Sequence, residues 1–508
     1  MIQESPMNTK PLLFATFFIA ICGIVYELII SSISSYLLGN SVKQFSITIG
    51  LYMSAMGLGS YISKYFKNRL FDCFCFIELG VGILGSLSAV ILFYFYAYTN
   101  LYVLMMYLIV IVIGILVGLE IPILTRIIEE NNNDLRLTLS NVFTFDYIGA
   151  LVGSIAFPLV LFPHLGFIVT SFLIGAINIV IAGLVIYYYN GYVNRIKFVK
   201  LIFFLCSIIA IGGIFFGNSI TASIENDLYR DQVVFSKQTQ YQKIILTKHK
   251  DDLRMFLDGN IQFSSVDEYR YHEGLVHPIM SLAPKREKVL ILGGGDGLAL
   301  REVLKYNDVK DIVLCDIDKE IVDLCRTNPL IASLNNHSLD SSKLKVVNED
   351  AYKFLENNQE LFDVVIVDLP DPNNESLNKL YTNLFYRLLS NSLSRHGKMV
   401  VQSTSPFYAS EAFWCVNKTI QSEGLIVKPY HLEVPSFGDW GFQLASKIDF
   451  DIEKIRISVD SKYLSDEIIP SLFNFGKDEK TDMDSVKINS MSNPVLLLYY
   501  EKAQQHNF

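Results

Sequence analysis

Charge is scarce in this chain of 508 residues: Asp, Glu, Lys and Arg make up 18% against 51% hydrophobic residues. That is too little charge for an ordinary soluble protein of this length and too much apolar surface for a disordered one. Basic residues are in deficit as well. Lys and Arg number 42 and Asp and Glu 51, a formal charge of −9, which argues against a nucleic-acid binder, since that would need a basic face for phosphates. Cysteine is sparse and scattered: of Cys22, Cys73, Cys75, Cys206, Cys315, Cys325 and Cys415, only Cys73 and Cys75 are close in sequence. Neither a zinc spacing nor a disulfide framework is present, and no metal or redox chemistry is indicated.

What charge there is lies mostly in one half. Up to Gly217 the chain holds ten of its 42 basic and nine of its 51 acidic residues, so the remainder carries the acidity and suits a cationic ligand. Hydrophobic runs of the roughly 20 residues needed to cross a bilayer lie at 11–38, 45–63, 74–98, 101–124, 142–163, 167–189 and 198–217. Residues 1–217 are therefore expected to form a seven-span α-helical membrane domain in contact with lipid, its first run an anchor and not a cleaved signal. Four acids, Glu27, Glu78, Glu120 and Asp146, fall within these runs, where charge is costly enough to suggest function. Pairing inside the bundle is favoured over a cation path, and Glu78 is expected near a span end, within reach of the interface. The small-residue runs GLGS (57–60), GILGSLS (82–88) and GALVGS (149–154) suit close helix packing.

Orientation carries a conflict. Lys64, Lys67 and Arg69 follow the second run, Arg126 and Arg136 the fourth, and Arg195, Lys197 and Lys200 the sixth, against Lys43 alone in the other loops. The positive-inside rule then puts the N-terminus inside, and seven spans would put the second half outside. A cytoplasmic second half at the cell (inner) membrane is the expectation preferred here.

From 218 to 284 the sequence reads as a small β-domain: VVFSK, YQKIILTKH and LRMFLDGNIQFSS, with a hairpin signal at Asp258-Gly259-Asn260. From 285 to 508, β-like runs at 288–292, 311–316, 343–347, 362–368 and 397–402 alternate with helical patterns, which predicts an α/β domain with a parallel, Rossmann-like sheet. The first run leads into Gly293-Gly294-Gly295-Asp296-Gly297. Glycines there allow a tight turn and a close backbone approach to a ligand at a helix N-terminus, a feature shared by dinucleotide and adenosylmethionine binders. Asp316, 23 residues after Gly293, ends the next strand where an acid accepts from ribose hydroxyls.

An acid recurs at the carboxyl end of four successive strands: Asp296, Asp316, Asp350, and Asp368 with Asp371. Ligands bind at that edge of an open α/β sheet. One such acid could merely cap a helix, as Asp350 could for AYKFLE, but five carboxylates around one crevice call for positively charged ligands. A methyltransferase needs only the nucleoside-binding acids, which leaves Asp368 and Asp371 for a second, cationic molecule.

The stretch from Tyr241 onward resembles the spermidine synthases, the polyamine aminopropyltransferases: YQKI, FLDGNIQ, DEYRYHEGLVHP, GGGDG, EDA, DLPDP, VVQSTSP and VPSFGDWGF occur in family order. The apolar first half and the tail NPVLLLYYEKA resemble the membrane-anchored bacterial branch. The resemblance implies a class I methyltransferase-like fold and transfer of an aminopropyl group from decarboxylated S-adenosylmethionine, a co-substrate, to a diamine such as putrescine, with no cofactor or metal. It implies donor contacts from Gln242, Gly293, Gly295, Asp296, Gly297, Asp316 and Asp350, diamine contacts from Tyr271, His272, Asp371 and Gln402, and Asp368 as the proton acceptor. It also implies a possible homodimer. Departures from the family pattern are Leu298 after GGGDG, Asp316 in place of Glu, Leu369-Pro370 within DLPDP, and Phe437 where a tyrosine is usual. A small-molecule methyltransferase on the same fold, and a polyamine or cation transporter with a fused catalytic or sensing domain, stay open as alternatives.

Overall fold

The computed structural model describes residues 8–132, 134–229, 231–372 and 374–506. The chain divides into two units, Met1–Val233 and Val234–Phe508.

The first unit is helical: α1 (Lys10–Leu38), α2 (Ser41–Ile62), α3 (Leu70–Tyr98), α4 (Tyr102–Asn132), α5 (Leu135–Ala156), α6 (Phe162–Tyr188) and α7 (Ile196–Tyr229). Among the described residues, helices long and apolar enough to cross a membrane number six when the run Leu135–Tyr188 is counted once. That run passes through a π-helical turn at Phe157–Leu161 and breaks only at Gly166, whose φ is +68°. The small residues are contact points between helices. A Cβ on Gly59 would lie 2.1 Å from the Ile115 carbonyl, one on Gly149 2.2 Å from that of Phe17, and one on Gly175 1.9 Å from Ser86 Oγ, so only glycine lets these backbones approach so closely.

Two sequence expectations are corrected in this unit. Glu78 does not reach an interface: it is 0% exposed within α3 and accepts a 2.8 Å hydrogen bond from Asn178 Nδ2, while Tyr26 donates to Asn178 Oδ1 at 2.9 Å. The boundary expected at 217/218 falls inside α7, which runs on to Tyr229, about three further turns, because Ile220, Ile224 and Leu228 continue the four-residue apolar spacing and pack on the helical core.

The second unit opens with a four-stranded sheet, β1 (Gln232–Gln238), β2 (Lys243–His249), β3 (Asp252–Leu257) and β4 (Asn260–Ser264), in that spatial order. Asp258 and Gly259, at φ +48° and +81°, make the β3–β4 turn with the positive angles of a tight hairpin. A helix, α8 (Glu268–Leu282), follows within the stretch read from sequence as strands. The second sheet has seven strands: β5 (Lys288–Gly293), β6 (Asp311–Cys315), β7 (Leu344–Val347), β8 (Phe362–Asp368), β9 (Leu393–Gln402), β10 (Ile426–Val434) and β11 (Gly438–Ser446), ordered β7-β6-β5-β8-β9-β11-β10. The first five are parallel and the β10–β11 hairpin is antiparallel, the Rossmann-like arrangement of methyltransferases. Ile244, Met255 and Phe263 of the small sheet share one apolar cluster with Leu275 and Ile279 of α8 and with Val289 and Ile291 of β5. The small sheet and α8 are thereby fastened to the large one.

Candidate active site

Strand order converts a list of motifs into a groove. Chain direction reverses its progress across the sheet between β5 and β8, the switch point at which a crevice opens beyond the strand ends. Along that edge stand, in spatial order, Asp350 after β7, Asp316 after β6, Asp296 after β5, Asp368 ending β8, and Gln402 ending β9. Five neighbouring strands at about 4.8 Å each give the edge a length of about 19 Å, room for a nucleoside at one end and an extended small molecule at the other.

Close packing explains the glycines. Gly293 pairs directly with Asp368, and a Cβ there would sit 2.0 Å from the Asp368 carbonyl oxygen. At Gly295 a Cβ would meet Asp316 Oδ2 at 2.6 Å, and the Gly295 amide donates to that same oxygen at 3.1 Å. Gly297, with φ at +79°, would meet Ser338 Oγ at 2.8 Å. The loop is thus drawn against the acids of the two flanking strands. Asp296 in turn accepts from the Leu298 amide at 2.8 Å, at the start of α9 (Leu298–Val303).

Three residues expected from sequence to contact the donor are held by neighbours that the sequence did not single out. Asp316 Oδ1 accepts from the Asp318 amide at 2.9 Å, and burial pushes the Asp316 carboxyl up to about 6. Gln242 donates to Asp318 Oδ2 at 3.0 Å, beside Thr239 at 2.7 Å. Asp350 caps the helix Ala351–Asn357 through the Tyr352 and Lys353 amides, and its other oxygen lies 2.6 Å from Lys379 Nζ. Burial alone would raise the Asp350 carboxyl, but Lys379 and the two amides hold it below the ordinary range. The capping role foreseen for Asp350 is therefore present together with an ion pair.

The other end centres on Asp368. Tyr271, on α8, donates to its Oδ1 at 2.6 Å, and burial together with the nearby Asp296 charge pushes the carboxyl up to about 6, against the opposing pull of His272 and Tyr271. His272 is buried; burial by itself would lower its pKa, yet the Glu268 carboxylate 2.8 Å from Nδ1, with Asp296 and Asp368 beyond, raises it to about 9. It is an imidazolium at neutral pH. Glu268 is clamped from behind by Arg301, at 2.8 and 2.9 Å, and Arg301 also bonds Glu302, which pairs with Lys305 and His277. This charged chain beneath the site has no signature in residue spacing, because α8 and α9 meet only in the folded state.

Asp371, half-buried and raised by burial, accepts from Gln402 Nε2 at 3.3 Å and from Tyr500 at 2.9 Å. Gln402 also bonds the Leu369 carbonyl and Tyr381. Phe437 meets the Tyr271 ring edge-on, centroids 5.8 Å apart. Asp318, Glu268, Arg301, Lys379, Tyr381 and Tyr500 are the residues around this site that sequence reasoning passed over; the recurrence of acids in CDID (315–318) was the one available signal for Asp318.

Comparison with known proteins identifies the family. Residues 268–453 match the spermine/spermidine synthase domain. The polyamine aminopropyltransferase of Oceanobacillus iheyensis is 40% identical over 505 residues, 98% of each chain, and that of Leptospira interrogans is 42% identical over 489 residues, covering 95% of this chain and 96% of the relative. A crystal structure of a spermidine synthase in complex with the transition-state analogue AdoDATO aligns at 30% identity and a TM-score of 0.45, over 48% of this chain and 85% of that one. Because the identity to these relatives runs through the helical unit as well as the site, the chain belongs as a whole to the polyamine aminopropyltransferase family of spermidine synthases.

Proposed function

We propose that this enzyme transfers the aminopropyl group of decarboxylated S-adenosylmethionine to a diamine such as putrescine, yielding a longer polyamine and methylthioadenosine. The observation that carries the reading is the row of carboxylates along one sheet edge, with Asp368 held by Tyr271 at the switch point. In this reading Gln242, Gly293, Gly295, Asp296, Gly297, Asp316 and Asp350 receive the donor, and Tyr271, His272, Asp371 and Gln402 shape the diamine end.

A neutral amine attacks the methylene carbon beside the sulfonium; the C–N bond forms, the C–S bond breaks, and the sulfur leaves uncharged. The amine must first lose a proton, and its free pKa is about 10, as for Lys. Asp368 is the acceptor in reach. With the acid at about 6, four units separate it from the amine, about 5 kcal/mol at 1.36 kcal/mol per unit. An ordinary carboxyl at 3.8 would add about 3 kcal/mol to that step, so burying Asp368 beside Asp296 favours catalysis. No cofactor or metal takes part in the step.

The donor's class is tested by calorimetry. An intact S-adenosylmethionine brings a carboxylate toward Asp296 and Asp368, so the decarboxylated form is expected to bind at least tenfold more tightly. Equal or reversed affinity would favour the methyltransferase reading.

We further propose that the helical unit spans the cell membrane as an anchor and that the second unit faces the cytoplasm. In support, Cys315, Cys325 and Cys415 are unpaired, as suits a reducing compartment. A Lys477→Cys variant is expected to resist a membrane-impermeant maleimide in intact cells and to react after lysis. Labelling in intact cells would overturn the assignment.

A further inference from the structure

The C-terminal segment is built into the loop that carries Asp371. Asn489, 0% exposed, donates from Nδ2 to Asn378 Oδ1 at 3.1 Å and to the Tyr381 carbonyl at 3.0 Å, accepts from the Leu496 amide at 3.3 Å, and receives the Asn383 amide on its own carbonyl at 3.0 Å. Tyr381, likewise 0% exposed, donates to the Leu369 and Pro370 carbonyls at 3.2 and 3.1 Å. These bonds tie the chain after β8 to the start of the last helix, Val495–His506, whose Val495 and Leu496 are buried in the same apolar cluster as Tyr381 and Leu380. From that helix Tyr500 donates to Asp371 Oδ2 at 2.9 Å while Gln402 holds Oδ1. One carboxylate is thereby gripped from two sides, by β9 and by a residue 129 positions later in the chain.

A carboxylate offers about four lone-pair positions. With Tyr500 and Gln402 each taking one on separate oxygens and Thr404 also hydrogen-bonded to the group, the directions left for an ammonium group are set by these neutral donors, of which Tyr500 alone comes from the C-terminal helix. Nothing at position 437 supplies a further hydroxyl, since Phe437 contributes only its ring to Tyr271. Asp368 and Asp371 lie three residues apart at the end of β8, so the path between them measures the diamine that can present one amine for attack while its other ammonium is bound.

We infer that the C-terminal helix forms a wall of the acceptor site and that Tyr500 is a positioning residue which, by orienting Asp371, sets the length of diamine the enzyme prefers. The inference rests on the aminopropyl-transfer reading. Its test uses the full chain in detergent, with 1,3-diaminopropane, putrescine and cadaverine as acceptors, and compares the unaltered enzyme, Tyr500→Phe and Tyr499→Phe. The hydroxyl of Tyr499 receives the Lys487 amide instead of reaching Asp371, so this second variant controls for packing of the helix. Tyr500→Phe is expected to raise the KM of the preferred diamine roughly tenfold, the loss of one hydrogen bond to a charged group, to change kcat by less than about threefold, and to flatten the preference among the three diamines. Methylthioadenosine affinity is expected to stay unchanged, and Tyr499→Phe to behave as the unaltered enzyme. Unchanged diamine KM and preference in Tyr500→Phe would overturn the inference, as would an equal effect of both variants or a parallel loss of donor affinity. An unaltered enzyme that transfers to none of the diamines would overturn the underlying reading, an outcome distinct from any difference between variants.

Discussion

Tyr271 donates its hydroxyl to Oδ1 of Asp368 across 2.6 Å, joining α8 to the end of β8. The bond fixes one oxygen of the carboxylate and leaves the other to face the glycine loop, where Gly294 has φ at +64° and a Cβ on it would lie 3.2 Å from Oδ2. Asp368→Asn keeps this shape and removes the proposed base. Turnover is expected to fall by roughly 10²-fold or more while methylthioadenosine affinity, read by isothermal titration, stays within about twofold. Unchanged turnover would remove Asp368 from the chemistry.

The acid limb of kcat/KM for the diamine follows from the same residue. Asp368 accepts a proton only when ionised, so with its carboxyl at about 6 the rate is expected to be retained above that pH and to decline tenfold per unit below it. A limb centred near 4 would mean that the carboxyl is unshifted and that burial does not tune it.

His272 gives a stability signature with the opposite sense. Its pKa of about 9 in the fold exceeds the ordinary 6.5, so the folded state binds more protons between these values. The contribution is complete below about pH 6.5 and is lost as pH rises through about 9, an order-of-magnitude 3 kcal/mol. Melting temperatures measured from pH 6 to 10 are expected to fall across this window, and the slope to flatten in Glu268→Gln, which removes the charge holding the imidazolium. Identical slopes would contradict the assignment.

On the donor side, Asp316→Ala removes the acceptor expected for two ribose hydroxyls and is predicted to weaken donor binding about ten- to a hundredfold, with diamine KM little changed. Equal losses for both substrates would mean that the two ends of the groove are wrongly assigned.

Much of this site was legible in the sequence because its parts obey local rules. The GGGDG turn, the acids at strand ends and the Asp258-Gly259 hairpin each follow from backbone geometry within a few residues, and the alternating runs of β5 to β9 announce a parallel sheet. The β10–β11 hairpin went unread: β11 is buried at every position from Gly441 to Ser446 and so does not alternate, and in β10 the alternation is confined to Tyr430–Val434, after Pro429. The end of α7 was misjudged because polar residues among Ser219–Tyr229 hide the spacing of Ile220, Ile224 and Leu228. Arg301 beneath Glu268 and Tyr500 on Asp371 join positions 33 and 129 residues apart, and no local pattern records such meetings.

The division of the chain into two units predicts that a chain beginning at Gln232 folds by itself, since its apolar clusters draw only on residues after that point. Circular dichroism should give a cooperative melt and the fragment should retain aminopropyl transfer. A folded but inactive fragment would assign the helical unit a part in the reaction and turn attention to Glu27, Glu78, Glu120 and Asp146.

The reaction itself is tested most directly by mass spectrometry of the products formed from decarboxylated S-adenosylmethionine and a panel of diamines. The account predicts an acceptor heavier by one aminopropyl group, released in equal amount with methylthioadenosine and abolished in Asp368→Asn. A methylated acceptor formed from intact S-adenosylmethionine, or no transfer to any diamine by the folded enzyme, would contradict it.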